Sequence, residues 1–174
     1  MTDSSTGALR FLTRSVEATE GLGAALGAML AAGQGVALVG DLGAGKTSMT
    51  RGLARGLGLE DPDAVASPTY LVAIEHDGPV PMLHIDAYLG AKAESFLLDG
   101  GLDYAEELGA VLVIEWADRI RDLWPERTIE VSLRQEVTSA EPEDIGSRSI
   151  EVRAESGVLA RLRDLQLEGL EGPC

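Results

Sequence analysis

The chain has 174 residues, of which 45% are hydrophobic, so it is long enough and apolar enough for one compact domain with a single core. Its 29 acidic residues against 14 Lys and Arg give a formal net charge of −15, which disfavours direct binding to DNA or RNA. It has no apolar stretch of transmembrane length, no signal-peptide pattern and no cysteine besides Cys174, so we expect no membrane contact, no internal disulfide and a cytoplasmic location.

The first predicted elements are a helix and a strand. Residues 15–32 are rich in alanine, leucine and glutamate, start at the small polar Ser15 and precede Gly33, which predicts a helix with a glycine cap. The run Val36–Val39 is wholly apolar and bounded by glycines. Such a run is typical of a buried strand in a parallel sheet.

A complete phosphate-binding motif follows this strand. Residues 40–47 read GDLGAGKT, which fits G-x-x-x-x-G-K-[ST], and residues 47–57 predict the helix that such a loop opens. Main-chain amides of the loop can surround phosphates, Lys46 can reach the outer phosphates and the Thr47 hydroxyl can bind Mg²⁺. The alternative is a glycine-rich turn without a ligand. The predicted nucleotide-binding residues are Asp41, Leu42, Gly43, Ala44, Gly45, Lys46, Thr47 and Ser48.

Strands and helices alternate through the rest of the chain. Strands are predicted at 70–74, 82–85, 110–114, 128–133 and 149–153, and helices at 118–124 and 157–166. Residues 90–107 read as a short helix and a loop, and residues 139–144 as an acidic loop. This order predicts an α/β, three-layer P-loop NTPase fold with a mainly parallel central sheet and late antiparallel strands. We expect a single domain over residues 1–174, with a core at about 15–155 and a C-terminal helix and tail at 156–174.

Two carboxylates end predicted strands at the edge where open α/β sheets bind ligands. Asp86 follows the strand at 82–85, and Glu115 follows the strand at 110–114. A strand-end carboxylate near the loop hydroxyl is suited to bind Mg²⁺, directly or through water. The alternatives are a turn or cap residue for Asp86 and a surface acid for Glu115.

Three further residues bear on the predicted site. Thr69, in the segment Ser67–Tyr70, could meet a γ-phosphate or a metal, although Ser-Pro-Thr alone is a common turn. Trp116 and His84 are predicted to be packed rather than catalytic. The chain contains no Asn-Lys-x-Asp string, the guanine-reading element of common GTPases, which favours ATP over GTP.

Five motifs in order resemble one family. GDLGAGKT at 40–47, SPTY at 67–70, HIDAY at 84–88, GLDY at 101–104 and IEW at 114–116 have the order and spacing of the TsaE (YjeE) proteins. The resemblance spans about residues 15–153. It departs from the family pattern at Leu89, where an arginine is usual.

The resemblance implies a small Mg²⁺-dependent ATPase required for threonylcarbamoyladenosine modification of bacterial tRNA. It implies work with the partners TsaB and TsaD, slow hydrolysis that those partners stimulate, and only indirect contact with tRNA. The roles it implies are phosphate binding by Lys46, Mg²⁺ binding by Thr47, strand-end catalysis or metal binding by Asp86 and Glu115, a switch at Thr69 and nucleotide contact by Arg148.

Two other functions remain open from the sequence. One is a nucleotide-gated binding module, in which ATP orders Ser67–Tyr70 into a docking surface and hydrolysis is incidental. The other is a kinase that transfers phosphate to a small metabolite.

Overall fold

An eight-stranded mixed sheet runs through the structure, a computed structural model that describes residues 6–68, 70–136 and 147–172. The strand order across the sheet is β3-β4-β5-β2-β6-β7-β1-β8. The strands are β1 Thr6–Thr13, β2 Gly35–Val39, β3 Ala73–His76, β4 Met82–Asp86, β5 Val111–Glu115, β6 Thr128–Gln135, β7 Arg148–Glu155 and β8 Leu170–Glu171. The helices are α1 Val16–Gly27, α2 Lys46–Leu57, α3 Gly90–Phe96, α4 Leu102–Leu108 and α5 Ser156–Arg163.

The four central strands β4, β5, β2 and β6 are parallel to one another. Antiparallel strands flank them, with β3 on one side and β7, β1 and β8 on the other. The predicted α/β class, with a parallel centre and late antiparallel strands, is confirmed. Parallel strands end at the same edge, so β2, β4 and β5 bring the residues that follow them together.

Helices cover both faces of the central strands and give three layers. One core cluster joins α1, α2 and α5 to the sheet, and a second joins α3, α4 and the 3₁₀ segment Ala117–Leu123. Helices α1 and α2 approach closely because glycines face each other: a Cβ on Gly52 would lie 2.2 Å from the main-chain oxygen of Glu20. This contact holds α2 firmly above the sheet.

Several predicted boundaries are wrong for physical reasons. Helix α1 ends at Gly27 rather than Ala32, because Met29 and Leu30 donate to carbonyls three residues back and tighten the chain into a turn. The strand predicted at 70–74 begins only at Ala73, since the carbonyl of Pro68 accepts from both Leu71 and Val72 and forms a turn there.

The remaining predicted elements lie close to their observed positions, and two observed strands were not predicted. Helix α2 ends at the left-handed Gly58, as expected, and β4, β5, β6, β7 and α5 lie within three residues of their predicted ends. Strands β1 and β8 were not predicted, and β1 places sheet residues before the expected core boundary at 15. The acidic loop at 139–144 lies outside the described residues. Among the described residues, no helix has the length and apolar character to cross a bilayer.

Candidate functional site

The site lies where the parallel strands end. Asp86 and Glu115 are the last residues of β4 and β5 and are paired with each other in register, while Leu38 of β2 pairs with Glu115 on its other side. Each of the two carboxylate residues is only 2% exposed. Adjacent strand ends therefore place two buried acids beside the loop that follows β2.

The loop after β2 has the backbone of a phosphate cradle. Gly43 and Gly45 have φ of +79° and +103°, a region that side chains with a Cβ rarely adopt. A Cβ on Gly40 would lie 2.4 Å from the main-chain oxygen of Leu133. Gly45 is the N-cap of α2 and has no side chain to bond the first amides of the helix, and the residues at this end of the helix line the cleft.

Lys46 lies at the first turn of α2 and is buried, with 5% exposure. Its Nζ donates to the main-chain oxygens of Gly40 at 2.7 Å and Asp41 at 2.8 Å, and lies 3.6 Å from the centre of the Trp116 ring. Burial lowers the pKa of the Lys46 ammonium below its ordinary value, and the nearby carboxylates, Glu115 first among them, oppose that shift. The ammonium is thus held within the loop, at a position from which it could bind an anion in the cleft.

Glu115 is the centre of a hydrogen-bond network. Thr47 Oγ1 donates to its Oε2 at 3.1 Å, and Thr50 Oγ1 donates to its Oε1 at 3.2 Å. His84 Nε2 lies 3.0 Å from the same Oε1. One carboxylate oxygen is therefore occupied by buried partners, while the other faces the loop hydroxyl.

Asp86 holds the segment that precedes residue 69. Its carboxylate accepts from the hydroxyl of Ser67, and from the main-chain amide of Tyr88 at 2.8 Å. Ser67 in turn lines the cleft. Asp86 therefore links the end of β4 to the predicted switch segment, although Thr69 itself lies outside the described residues.

An aromatic wall closes one side of the cleft. Tyr88 and Trp116 meet edge to face, with ring centres 5.2 Å apart, and the Arg119 guanidinium lies over both rings at 4.8 and 5.2 Å. Trp116 has a left-handed backbone with φ of 58°. This conformation is uncommon for a bulky residue and turns the chain sharply after β5.

Arg148 begins β7 on the opposite side of the phosphate loop. Its Nη2 lies 3.5 Å from the main-chain oxygen of Gly43, and a Cβ on Gly45 would lie 3.1 Å from its Nε. Arg148 therefore lies beside the phosphate loop, and its contact with a nucleotide stays a prediction.

Together these residues surround a cleft of about 470 Å³, lined by Leu42, Gly43, Gly45, Lys46, Thr47, Ser48, Ser67, Tyr88, Glu115, Trp116 and Arg148. Of the predicted site residues that the structure describes, three are outside this lining. Asp41 has an exposed side chain and offers its carbonyl to Lys46, Ala44 is buried, and Asp86 lies behind Ser67. The roles of all these residues remain predictions.

Sequence reasoning missed His84, Thr50, Tyr88 and Arg119 as residues of the site. For His84 a signal was present: side chains alternate along a strand, so His84 shares a face with Asp86 two residues on. For Thr50, the helical spacing of three from Thr47 was the signal. Tyr88 and Arg119 are brought together by the ends of β4 and β5, which no local pattern shows.

The comparisons with known proteins agree on one family. A sequence profile described as "Threonylcarbamoyl adenosine biosynthesis protein TsaE" matches residues 13–143. A protein of Treponema pallidum (strain Nichols) is 36% identical over 126 residues, covering 72% of this chain and 91% of its own length. A protein of Bacillus subtilis (strain 168) is 34% identical over 128 residues, covering 73% and 78%. Both are named tRNA threonylcarbamoyladenosine biosynthesis protein TsaE.

A solved structure gives the same result for the fold. The crystal structure of YdiB from Bacillus subtilis superposes with a TM-score of 0.64 at 25% sequence identity, over 89% of this chain and 90% of that one. The sequence profile, the relatives and the solved structure all agree with the family that the motif order indicates. The chain belongs to the TsaE family.

Proposed function

We propose that this chain binds ATP with Mg²⁺ and hydrolyses it to ADP and phosphate, as a component of tRNA threonylcarbamoyladenosine biosynthesis. The observation that carries the proposal is the hydrogen bond between Thr47 of the phosphate loop and Glu115 of the neighbouring strand end. It places a loop hydroxyl and a carboxylate in one cleft with the Lys46 ammonium. Those are the groups that phosphoryl transfer by positioning and charge stabilisation requires.

Nucleotide binding would use the backbone of the phosphate loop. The loop amides and the first turn of α2 favour the β- and γ-phosphates. Lys46 would exchange its contacts with the Gly40 and Asp41 carbonyls for phosphate oxygens. Arg148, at the Gly43 carbonyl, supplies a second cation on the far side of the loop.

The residues present fit a Mg²⁺ ion. Adjacent ligands of an octahedral Mg²⁺ lie about 3.0 Å apart when each bond is about 2.1 Å, and Thr47 Oγ1 lies 3.1 Å from Glu115 Oε2. No cluster of three or more His, Cys, Asp or Glu side chains in the described ranges could hold a metal alone, so phosphate and water would complete the shell. Mg²⁺, when bound, supplies neutralisation of phosphate charge.

The chain's own side chains would then position the reaction. Glu115 can accept a proton from, or orient, a water in the cleft, since its Oε2 faces the loop hydroxyl. Asp86 would act through Ser67, whose hydroxyl donates to its carboxylate, and it would help to hold Mg²⁺ either directly or through water. Thr69, two residues beyond Ser67, stays the predicted switch residue.

The family's pathway requires partner proteins, and we propose that these are TsaB and TsaD. Large apolar side chains are exposed in segments that border or adjoin the cleft, namely Leu42, Tyr70, Leu71, Tyr88 and Leu89. Such residues are suited to a protein interface. The net charge of −15 supports contact with tRNA through partners rather than directly. A cytoplasmic location and a single ATPase domain remain part of the proposal.

One observation favours the second candidate, a nucleotide-gated binding module. Tyr70 and Leu71, next to the Ser67 segment, are 97% and 71% exposed and available to a partner if nucleotide reorders that segment. In this alternative, hydrolysis is incidental to docking.

Reconstitution tests the proposal and separates the two candidates. The chain is combined with TsaB, TsaD and tRNA, and phosphate release is followed together with threonylcarbamoyladenosine formation. We expect Lys46→Ala to lose nucleotide binding and Glu115→Ala to keep binding but lose hydrolysis and modification, with Arg153→Ala as a surface control. Full modification by a Glu115 variant that binds but does not hydrolyse ATP would establish the gated module instead. Wild-type turnover by Glu115→Ala would remove Glu115 from the reaction.

A further inference from the structure

A fully buried histidine stands behind the proposed catalytic carboxylate. His84 lies in the middle of β4, has no exposed surface, and brings Nε2 to 3.0 Å from Glu115 Oε1. The alternation of side chains along β4 and the parallel pairing of β4 with β5 put both residues on the face covered by α2. The contact is therefore fixed by the sheet itself.

The carboxylate of Glu115 is held asymmetrically. His84 and Thr50 both contact Oε1, and Thr50 also shares its hydroxyl hydrogen with the main-chain oxygen of Lys46 at 3.0 Å. Thr47, which lines the cleft, contacts Oε2. Because Oε1 is bound on two sides, the carboxylate has little freedom to rotate, and Oε2 stays on the cleft side.

The hydrogen-bond inventory selects a tautomer for the imidazole. A carboxylate only accepts hydrogen bonds, so the His84 nitrogen facing Glu115 carries the hydrogen. The other nitrogen, Nδ1, is buried and has no hydrogen-bond partner in the described part of the chain. The neighbouring ring of His76, with its centre 6.1 Å away, has its own unpartnered Nε2 and supplies no acceptor contact.

We propose that His84 is a positioning residue, whose Nε2–H donates to one oxygen of Glu115 and so keeps the other oriented towards Thr47. This inference rests on the proposed role of Glu115 in metal binding and hydrolysis. Outer-shell partners of this kind typically contribute about 10- to 100-fold to metal affinity or activity. Loss of the donor should therefore weaken Mg²⁺-dependent steps, and it should spare metal-free nucleotide binding, which the loop and Lys46 provide.

Two substitutions of His84 separate the hydrogen bond from packing. His84→Leu fills a similar volume without a donor, while the side-chain amide of His84→Gln can donate from nearly the same place. His76→Gln is the matched control, because His76 packs beside the same ring without contacting Glu115. Thermal unfolding of each variant shows that it is folded before activity is compared.

We expect His84→Leu to need about tenfold or more Mg²⁺ for half-maximal hydrolysis, and to lower the maximal rate by about 10- to 100-fold. Its affinity for ADP without metal should stay within about twofold of wild type, a split that a general packing defect would not produce. His84→Gln should recover most of the Mg²⁺ response and of the maximal rate, and His76→Gln should match wild type. Equal losses in His84→Leu and His84→Gln, or no loss in either, would overturn the inference.

Nitrogen-15 NMR of the imidazole provides a readout independent of activity. The wild-type protein should show a hydrogen on Nε2 of His84, and Glu115→Ala should broaden or shift that signal while the His76 signal stays in place. A ring with its hydrogen on Nδ1 and none on Nε2 would overturn the inference even in an active enzyme. If the wild type hydrolyses no ATP with its partners, the proposed function fails, and the NMR result still decides whether His84 holds Glu115.

Discussion

Replacement of Glu115 by two different side chains offers a sharp test of the network at the site. Glu115→Gln keeps the shape of the side chain and removes its charge, whereas Glu115→Ala removes the hydrogen-bonding atoms as well. Both lose the carboxylate that lies near the Lys46 ammonium, so that loss cancels when the two variants are compared. What remains is the value of the hydrogen bonds themselves.

The structure sets the size of the expected difference. In Glu115→Ala the Nε2–H of His84 is left fully buried without an acceptor, at a cost of about 1–3 kcal/mol in the free energy of unfolding. Thr50 keeps its bond to the Lys46 carbonyl, and Thr47 lines the cleft, where water can replace the lost acceptor. In Glu115→Gln the amide oxygen can accept from His84 and the amide nitrogen can donate to the Thr47 hydroxyl, so the cost stays below about 1 kcal/mol.

Urea unfolding without nucleotide measures these free energies, and phosphate release with TsaB and TsaD measures the activity. We expect Glu115→Ala to be less stable than Glu115→Gln by about 1–3 kcal/mol, and both to hydrolyse ATP at least about 100-fold more slowly than wild type. Equal stability of the two variants would show that the buried donor finds another partner, and would refute the network. Normal hydrolysis by Glu115→Gln would refute the need for the charge.

Three further results are expected. Gly52→Ala should destabilise the protein by about 1–3 kcal/mol because its Cβ would meet a main-chain oxygen of α1 at 2.2 Å, whereas Gly157→Ala, with open space in α5, should stabilise it by up to about 1 kcal/mol in the same urea titration. Burial lowers the pKa of Lys46, so between that lowered pKa and the ordinary value of 10.5 the unfolded chain binds more protons than the folded one. As pH rises through this interval, the unfolding free energy of the wild type should therefore increase relative to that of Lys46→Met. Arg148→Ala should raise the dissociation constant for ATP about tenfold in calorimetry, while Arg153→Ala, outside the cleft lining, should leave it unchanged.

The parts of the site that the sequence predicted follow from local rules. The phosphate loop is a contiguous string, and it lies between a strand and a helix as predicted. Asp86 and Glu115 were found because each directly follows a buried apolar run, and parallel strands end at a common edge. Their register, Asp86 opposite Glu115, could not be read from the sequence, since it depends on how β4 and β5 pair.

The parts that were missed depend on long-range pairing or on competing local bonds. Strand β1 pairs with β7 at the other end of the chain, with Leu9 opposite Val152. Residues 8–13 alternate in burial, but the sequence TGALRFLT alternates only weakly in hydrophobicity, so the strand was not predicted. His84 was predicted to be packed because it lies within the predicted strand at 82–85, and the structure buries it but also brings it to Glu115. The carbonyl of Pro68 accepts two hydrogen bonds that form a turn, so β3 begins later in the chain than the hydrophobicity of the sequence predicts.

The position of Arg148 shows how the topology of this sheet builds a site for an anion in an acidic chain. Strand β6 is parallel to β2 and ends at the same edge as the phosphate loop, so the antiparallel β7 must begin there, with Arg148 opposite Gln135. The arginine thus reaches Gly43, a residue 105 positions earlier, because of strand direction rather than local sequence. With Lys46 it offsets the charge of Glu115 in the cleft lining and of Asp86 behind that lining, although the whole chain has a net charge of −15. The proposed ATP would therefore meet a local concentration of cations and amides, and the acidic surface elsewhere would oppose non-specific contact with nucleic acid.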